Sequence, residues 1–429
     1  MSLQRNALLL ILLTGLLGIL GQWDPAFGRL WSLPAALVLL GLTYESLQVR
    51  RESIGVRLLG PERWPLGRER TVRFVFVQDR RVRLRAQAAL GAPAEFAAET
   101  HIAPLRLARA EAVTLELRAE PRRLGRYRWP VPALRVAGSL QLAWWPTHPV
   151  AEYTATVIPD LISRPERISG NATGEGTATH FGGGNTEILQ LREYRHGDSL
   201  RAIDWKASAR RGRLVSREFA EERRLEILLA VDIGRGSALA AGPIDRLGLY
   251  VNVAARLAQR AAELDDAVGL LLFAERPLTL LAPARGATAV TRIRRMLTEC
   301  TVHAGQANPA LAAARIRAAA PRRLLVVLLT DVLDTAIEEL SEAVRLLGPK
   351  HFTLICGVEN PAITALPSAA PSDALAPYRA LAAAEYHRTV TGNVRALRAL
   401  GAAALIERPE QLDRAVLDAY QRFRRERRV

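Results

Sequence analysis

LEILLAVD, Leu225 to Asp232, is a nearly continuous apolar run that ends on an acid. Such a run reads as a strand covered on both faces of a sheet. Three more runs repeat it: AVGLLLF (Ala267 to Phe273), RLLVVLL (Arg323 to Leu329) and HFTLICGV (His351 to Val358). Helical stretches at Pro243 to Glu263, Pro309 to Ala319 and Thr335 to Leu347 lie between them. This alternation predicts a mostly parallel, doubly wound α/β domain over residues 225–408. A sheet of this kind binds ligands beyond the carboxyl ends of its strands, and two of those ends carry aspartate: Asp232, and Asp331 within LLTDVLD. The bland alternative is that both aspartates cap nearby loops and helix starts.

Upstream, residues 160–224 form a polar, charged connector. Its stretch GEGTATHFGGGN (Gly174 to Asn185) fails as a phosphate cradle, because Thr179 stands where G-x-G-x-x-G needs its third glycine. Residues 52–159 alternate at period two in TVRFVFV (Thr71 to Val77), AVTLELRAE (Ala112 to Glu120) and SLQLAWW (Ser139 to Trp145), with proline and glycine between them. They predict a small β-sandwich that serves as a spacer or interaction domain. The run NALLLILLTGLLGILGQW (Asn6 to Trp23) is free of charge and would make a helix of about 27 Å, near the thickness of a hydrocarbon core. A second apolar run, LWSLPAALVLLGLTY (Leu30 to Tyr44), follows a short loop, so residues 1–51 predict a transmembrane helical hairpin rather than a cleaved signal peptide. Arg5, Arg50 and Arg51 flank the pair, which places both ends and the soluble part on the cytoplasmic side of the inner membrane.

Across 429 residues, 49% are hydrophobic and 24% charged, which excludes a disordered chain. Cys300 and Cys356 are the only cysteines and exclude a disulfide scaffold. The net charge of +16 raises nucleic acid as a partner, but the arginines are distributed and no recognised binding module accompanies them, so none is expected. The amphipathic end, residues 409–429, places Leu412, Val416, Leu417 and Tyr420 on one side and closes on RFRRERR, which suits docking on the sheet or contact with anionic lipid.

The most distinctive segment is ILQLREYRHGDSLRAIDWKASARRGRLVSREFAEERRLEILLAVD, Ile188 to Asp232. Its mixed charges suit an internal ion-pair network or a docking face, with arginine planes packing on an aromatic such as Trp205. His196 beside Asp198 lacks a serine or cysteine nucleophile motif and reads as a solvated loop histidine. The segment resembles the bacterial family called domain of unknown function 58, at Leu191, Arg192, Tyr194, Gly197, Asp198, Arg201, Ile203, Asp204, Trp205, Ala209, Arg210, Leu214, Arg217, Glu218 and Glu222. RRLGRY (Arg122 to Tyr127) and VIPDL (Val157 to Leu161) also look family-like.

The resemblance implies that a von Willebrand factor A-like domain follows the membrane hairpin and the β-rich region. In A domains a D-x-S-x-S aspartate, its two hydroxyls, a threonine and a further acid gather Mg²⁺. Here Asp232-Ile233-Gly234-Arg235-Gly236 has glycine at both serine positions, Ser237 falls one place late, and Thr288, Thr298 and Thr301 compete for the threonine role. The expectation is a degenerate site at Asp232 and Asp331 that holds Mg²⁺ only if water or a partner's carboxylate supplies the missing oxygens. The resemblance further implies an adaptor or substrate-docking role for a MoxR-family AAA+ ATPase, with the inner membrane and other membrane or A-domain proteins as further partners and no catalytic residues. The alternative is a hydrolytic or metal-dependent enzyme using Asp232 and Asp331.

Overall fold

The structure, a computed structural model, describes residues 2–20, 22–23, 30–50, 54–78, 84–108, 111–160, 188–195, 203–219, 224–333, 337–366 and 373–426. It is a mixed α/β protein with an apolar helical N-terminus.

Two helices open the chain, α1 (Arg5–Leu20) and α2 (Ser32–Arg50), packed against each other. Among the described residues, only α2 is long and apolar enough to cross a membrane, over Ser32–Val49, and α1 is a shorter apolar helix. Leu8, Leu12, Leu33, Leu39 and Leu40 are exposed on the pair, as lipid-facing side chains would be. Both helices meet the β-rich unit at the same end. The Gln4 amide donates to the Leu142 carbonyl just before α1, and Glu45 near the end of α2 reaches the same loop.

Glu45 is fully buried, and its carboxylate is the hub of that contact. Oε1 accepts from the amides of Leu140 (2.8 Å) and Leu142 (3.2 Å), and Oε2 accepts from the amide of Ala143 (3.2 Å) and the Trp145 indole (3.3 Å). A carboxylate leaving water needs such donors, because each missing one costs about 1–3 kcal/mol. The loop therefore differs from the strand expected at Ser139 to Trp145. The strand is Ala143–Thr147, and residues 139–142 turn around the carboxylate, with Gln141 at φ 55°.

In the β-rich unit, a four-stranded sheet (Ile54–Leu59, Arg70–Gln78, Ala112–Pro121, Phe96–Ala97) and a five-stranded sheet (Ser2–Leu3, Ala143–Thr147, Ala133–Ala137, Leu84–Leu90, His101–Leu107) share one apolar core. Alternation explains the burial: Val72, Phe74 and Phe76 point inward and Arg73 outward. Trp64, Phe96 and Trp129 pack ring to ring at 5.2–5.5 Å between centroids.

The C-terminal sheet comprises β1 (Glu226–Asp232), β2 (Ala267–Phe273), β3 (Pro277–Ala284), β4 (Leu325–Leu329), β5 (Phe352–Val358) and β6 (Ala403–Glu407), in the order β3-β2-β1-β4-β5-β6. All neighbours are parallel except the edge pair β2 and β3. Ile227, Leu229 and Val231 of β1 face one core, while Leu228 and Ala230 face another, which is why that strand reads as continuously apolar. Helices α4 (Arg246–Glu263), α5 (Gly286–Glu299) and α9 (Pro409–Arg425) cover the first face, and α6 (Pro309–Ala319), α7 (Ile337–Leu347) and α8 (Ala376–Ala399) the second; the short α3 is described with the connector. Leu412, Val416, Ala419 and Tyr420 of α9 are buried in the first core, so the apolar side of the C-terminal helix docks on the sheet.

Candidate functional site

The chain leaves β1 for β2 on one side of the sheet and later enters β4 on the other, so β1 and β4 flank the point where the winding reverses. A crevice for ligand is expected there, beyond the carboxyl ends. The register sets Val231 opposite Leu329, which brings Asp232 beside Thr330 and Asp331 beyond the strand ends. The two predicted acids thus meet in one place.

Each oxygen of Asp232 has a donor. Oδ1 accepts from the Gly234 amide (2.8 Å) and Oδ2 from the Thr330 hydroxyl (2.6 Å). Burial pushes this carboxyl above the usual carboxylate range, against the hydrogen bonds from Thr330, Gly234 and Ser237 that pull it down, and the nearby charge of Asp331 adds to the rise. Asp331 accepts from the Leu333 amide (2.7 Å) and forms an ion pair with Arg246, the first residue of α4. Asp232, Asp331 and Arg246 are all buried, with 5%, 7% and 4% exposure. Tyr250, one turn further along α4, is buried beside them, and its hydroxyl has no hydrogen-bond partner among the described residues.

The donors of a hard divalent cation are not assembled here. Ser237 turns its hydroxyl to the Asp232 carbonyl (2.8 Å). Thr288 and Thr301 are exposed, and the Thr298 hydroxyl bonds back to the Arg294 carbonyl (2.8 Å). Among the described residues, no group of three or more His, Cys, Asp or Glu side chains could hold a metal. The residues present do not fit Mg²⁺, which needs about six oxygens. Both aspartates also close turns on the amides two residues ahead, as capping acids do.

The signature segment folds as a small unit. Strand Ile188–Glu193 pairs antiparallel with Val215–Phe219, setting Arg192 opposite Ser216, Leu191 opposite Arg217 and Gln190 opposite Glu218. Only the backbone of Arg192, Arg217 and Glu218 is described, and His196, Gly197, Asp198 and Arg201 lie outside the described residues. Between the strands sits α3 (Trp205–Arg211). Asp204 caps it by accepting from the Ala207 amide (2.9 Å), Ser208 binds the Asp204 carbonyl (2.7 Å) and receives the Val215 amide (2.9 Å), and Gly212 ends the helix at φ 64°. The Tyr194 amide donates to Leu214 (3.0 Å). Trp205 is 66% exposed, and Arg210 and Leu214 are also exposed. The stacking of arginine on Trp205 does not occur among the described residues; the cation–π pairs there are Arg135 with Trp144 and Arg323 with Phe352.

A second arginine–carboxylate cluster joins the two large units. Asp160, of the VIPDL stretch, is 4% exposed and binds Arg68 of the β-rich unit (2.7 Å) and Arg256 of α4 (2.7 Å). Arg256 also grips Asp413 of α9 (2.8 Å), and Asn252 of α4 accepts the Asp160 amide (2.8 Å). Sequence reasoning missed the roles of Thr330, Arg246 and Arg256. For Thr330 a signal was present, since it adjoins Asp331 and strand register alone sets it beside Asp232.

Among solved structures the chain is similar to the conserved hypothetical protein BatB from Bacteroides thetaiotaomicron, at 18% identity and a TM-score of 0.26, over 31% of this chain and 66% of that one. It is also similar to the CARDB domain of a Pyrococcus furiosus protein, in complex with di-metal ions, at 13% identity and a TM-score of 0.19, over 25% of this chain and 89% of that one. Likenesses this slight carry no argument about architecture. No curated protein matches the chain. A family does match: residues 190–379 of the chain fit the model of the family described as Protein of unknown function DUF58.

Proposed function

We propose that this chain is a membrane-anchored protein-interaction module, an adaptor or substrate-docking partner of a MoxR-family AAA+ ATPase. The observation that carries this reading is the division of labour in the signature. Asp204 and Ser208 are spent on holding α3, while Trp205, Arg210 and Leu214 of the same segment face solvent. Tryptophan and arginine are the residues most enriched at binding hot spots, and both stand exposed on this short helix. The doubly wound sheet, with two acids at the ends of adjacent central strands, supports the von Willebrand factor A-like reading of the C-terminal domain. Helices α1 and α2, joined to the β-rich unit at one common end, support a two-span hairpin, and the flanking arginines favour the cytoplasm for the soluble part. The chain has no nucleotide motif, so energy would come from the partner.

The test is purification of the full-length protein in mild detergent. An AAA+ ATPase should co-purify, and Trp205→Ala should reduce its recovery at least tenfold while leaving the melting temperature unchanged. Repeated recovery of the protein alone would sink the reading. A hydrolytic activity lost in Asp232→Ala, with the fold intact, would favour the enzyme alternative.

A further inference from the structure

We infer that the guanidinium of Arg246 takes the place of a divalent cation at the carboxyl ends of β1 and β4, so that this domain carries its own tethered cation and works without metal. The inference rests on strand-end geometry and on the A-domain reading of the sheet, but not on any partner; its failure would leave the adaptor role standing.

Charge is the first argument. Two buried carboxylates at neighbouring strand ends repel each other and need a positive group close by. Arg246 is that group: it is 4% exposed and ion-paired with Asp331. Its place is otherwise unfavourable, because it follows the capping residue Asp245 at the positive end of α4, where a helix disfavours cations. The pairing with Asp331 offsets that preference.

Space is the second argument. Gly234 stands where a metal-binding A domain has its first serine, and a Cβ there would lie 2.9 Å from the Ala307 amide nitrogen and 3.0 Å from the Gly305 carbonyl. Both contacts are with backbone, which cannot swing aside. The same loop is fastened by the His303 amide to Ile233 (2.7 Å) and the Arg235 amide to Gly305 (3.0 Å). A hydroxyl ligand therefore has no room to point into the crevice from position 234. Each oxygen a cation would recruit from Asp232 already accepts one hydrogen bond, from Gly234 or from Thr330. Glycine at both serine positions and a buried arginine beside the acids together give a fixed cation where an exchangeable ion would need hydroxyl ligands.

The experiment uses the full-length protein in detergent with Mn²⁺ as the probe, read by electron paramagnetic resonance and by thermal melting. The wild type should bind no stoichiometric Mn²⁺ at micromolar concentration, and its melting temperature should be the same in EDTA and in millimolar Mn²⁺. Arg246→Ala should melt roughly 6–12 °C lower and recover part of that loss in Mn²⁺, whereas Arg246→Lys, which keeps a tethered charge, should show no such rescue. Stoichiometric Mn²⁺ binding by the wild type, abolished in Asp331→Asn, would overturn the inference. If Arg246→Ala does not fold, the wild-type measurement and Arg246→Lys still decide it.

Discussion

Two clusters in this protein are built from the same groups, aspartate and arginine, yet they solve different problems. At the strand ends, Asp232, Asp331 and Arg246 come from one domain, and register alone brings the acids together. At the joint, Arg68, Asp160, Arg256 and Asp413 come from four distant segments that only the complete tertiary structure can assemble. Both clusters hang on α4, through its first residue and through Arg256 ten positions on, about 15 Å along the axis. The difference teaches that a buried ion pair within a domain can fill a site, while one between domains sets their relation.

The comparison breaks most readily at Asp160. Asp160→Ala should destabilise the protein by about 3–5 kcal/mol, since two mostly buried guanidinium groups lose their counter-charge, and should split one unfolding transition into two. A single transition at unchanged temperature would show that apolar packing, with Ile244 inserted in the β-rich core, suffices to couple the units.

Glu45 sharpens it, as a buried carboxylate whose cage holds no arginine among the described residues. Glu45→Ala should cost about 2–3 kcal/mol in denaturant unfolding and free residues 139–143 to proteolysis. Gly138→Ala should act in the same direction, because its Cβ would fall 1.9 Å from the Glu45 carboxyl carbon.

Asp413 supplies a smaller effect with a defined sign. Burial raises its pKa, and Arg256 only partly opposes the rise. A carboxyl whose folded pKa exceeds its unfolded value, near 3.9, adds stability below that value and loses it as pH climbs through the folded pKa. Stability should therefore fall over that window as pH rises, and Asp413→Asn should flatten the slope while costing under about 1 kcal/mol at neutral pH. An unchanged slope would assign the titration elsewhere. Smallest of all, Tyr250→Phe should change stability by no more than about 0.5 kcal/mol, because the hydroxyl it removes makes no hydrogen bond among the described residues.

The four central strands were legible because burial on both faces leaves an unbroken apolar run, as in LVVLL of β4. Edge strand β3 alternates half-exposed residues, and β6 and α8 are rich in alanine, so none of them carried a strong period. At the site, Asp232 and Asp331 could be found because strand ends are predictable. Arg246 could not, being one of 59 basic residues with no local feature to distinguish its burial. Asp160 stood in a family-like stretch, but its partners lie 92 to 96 residues away in the chain and no spacing announces them.

The Glu45 cage also orders events during synthesis. Its donors lie 95 to 100 residues further along the chain, so at roughly 5–20 residues per second the helix that carries this carboxylate waits about 5–20 s before they exist. Throughout that interval the acid has only water to solvate it. On the membrane-anchored reading proposed above, the helix rests with its C-terminal turn outside the lipid, and it is seated for good only when the β-rich unit folds back over it.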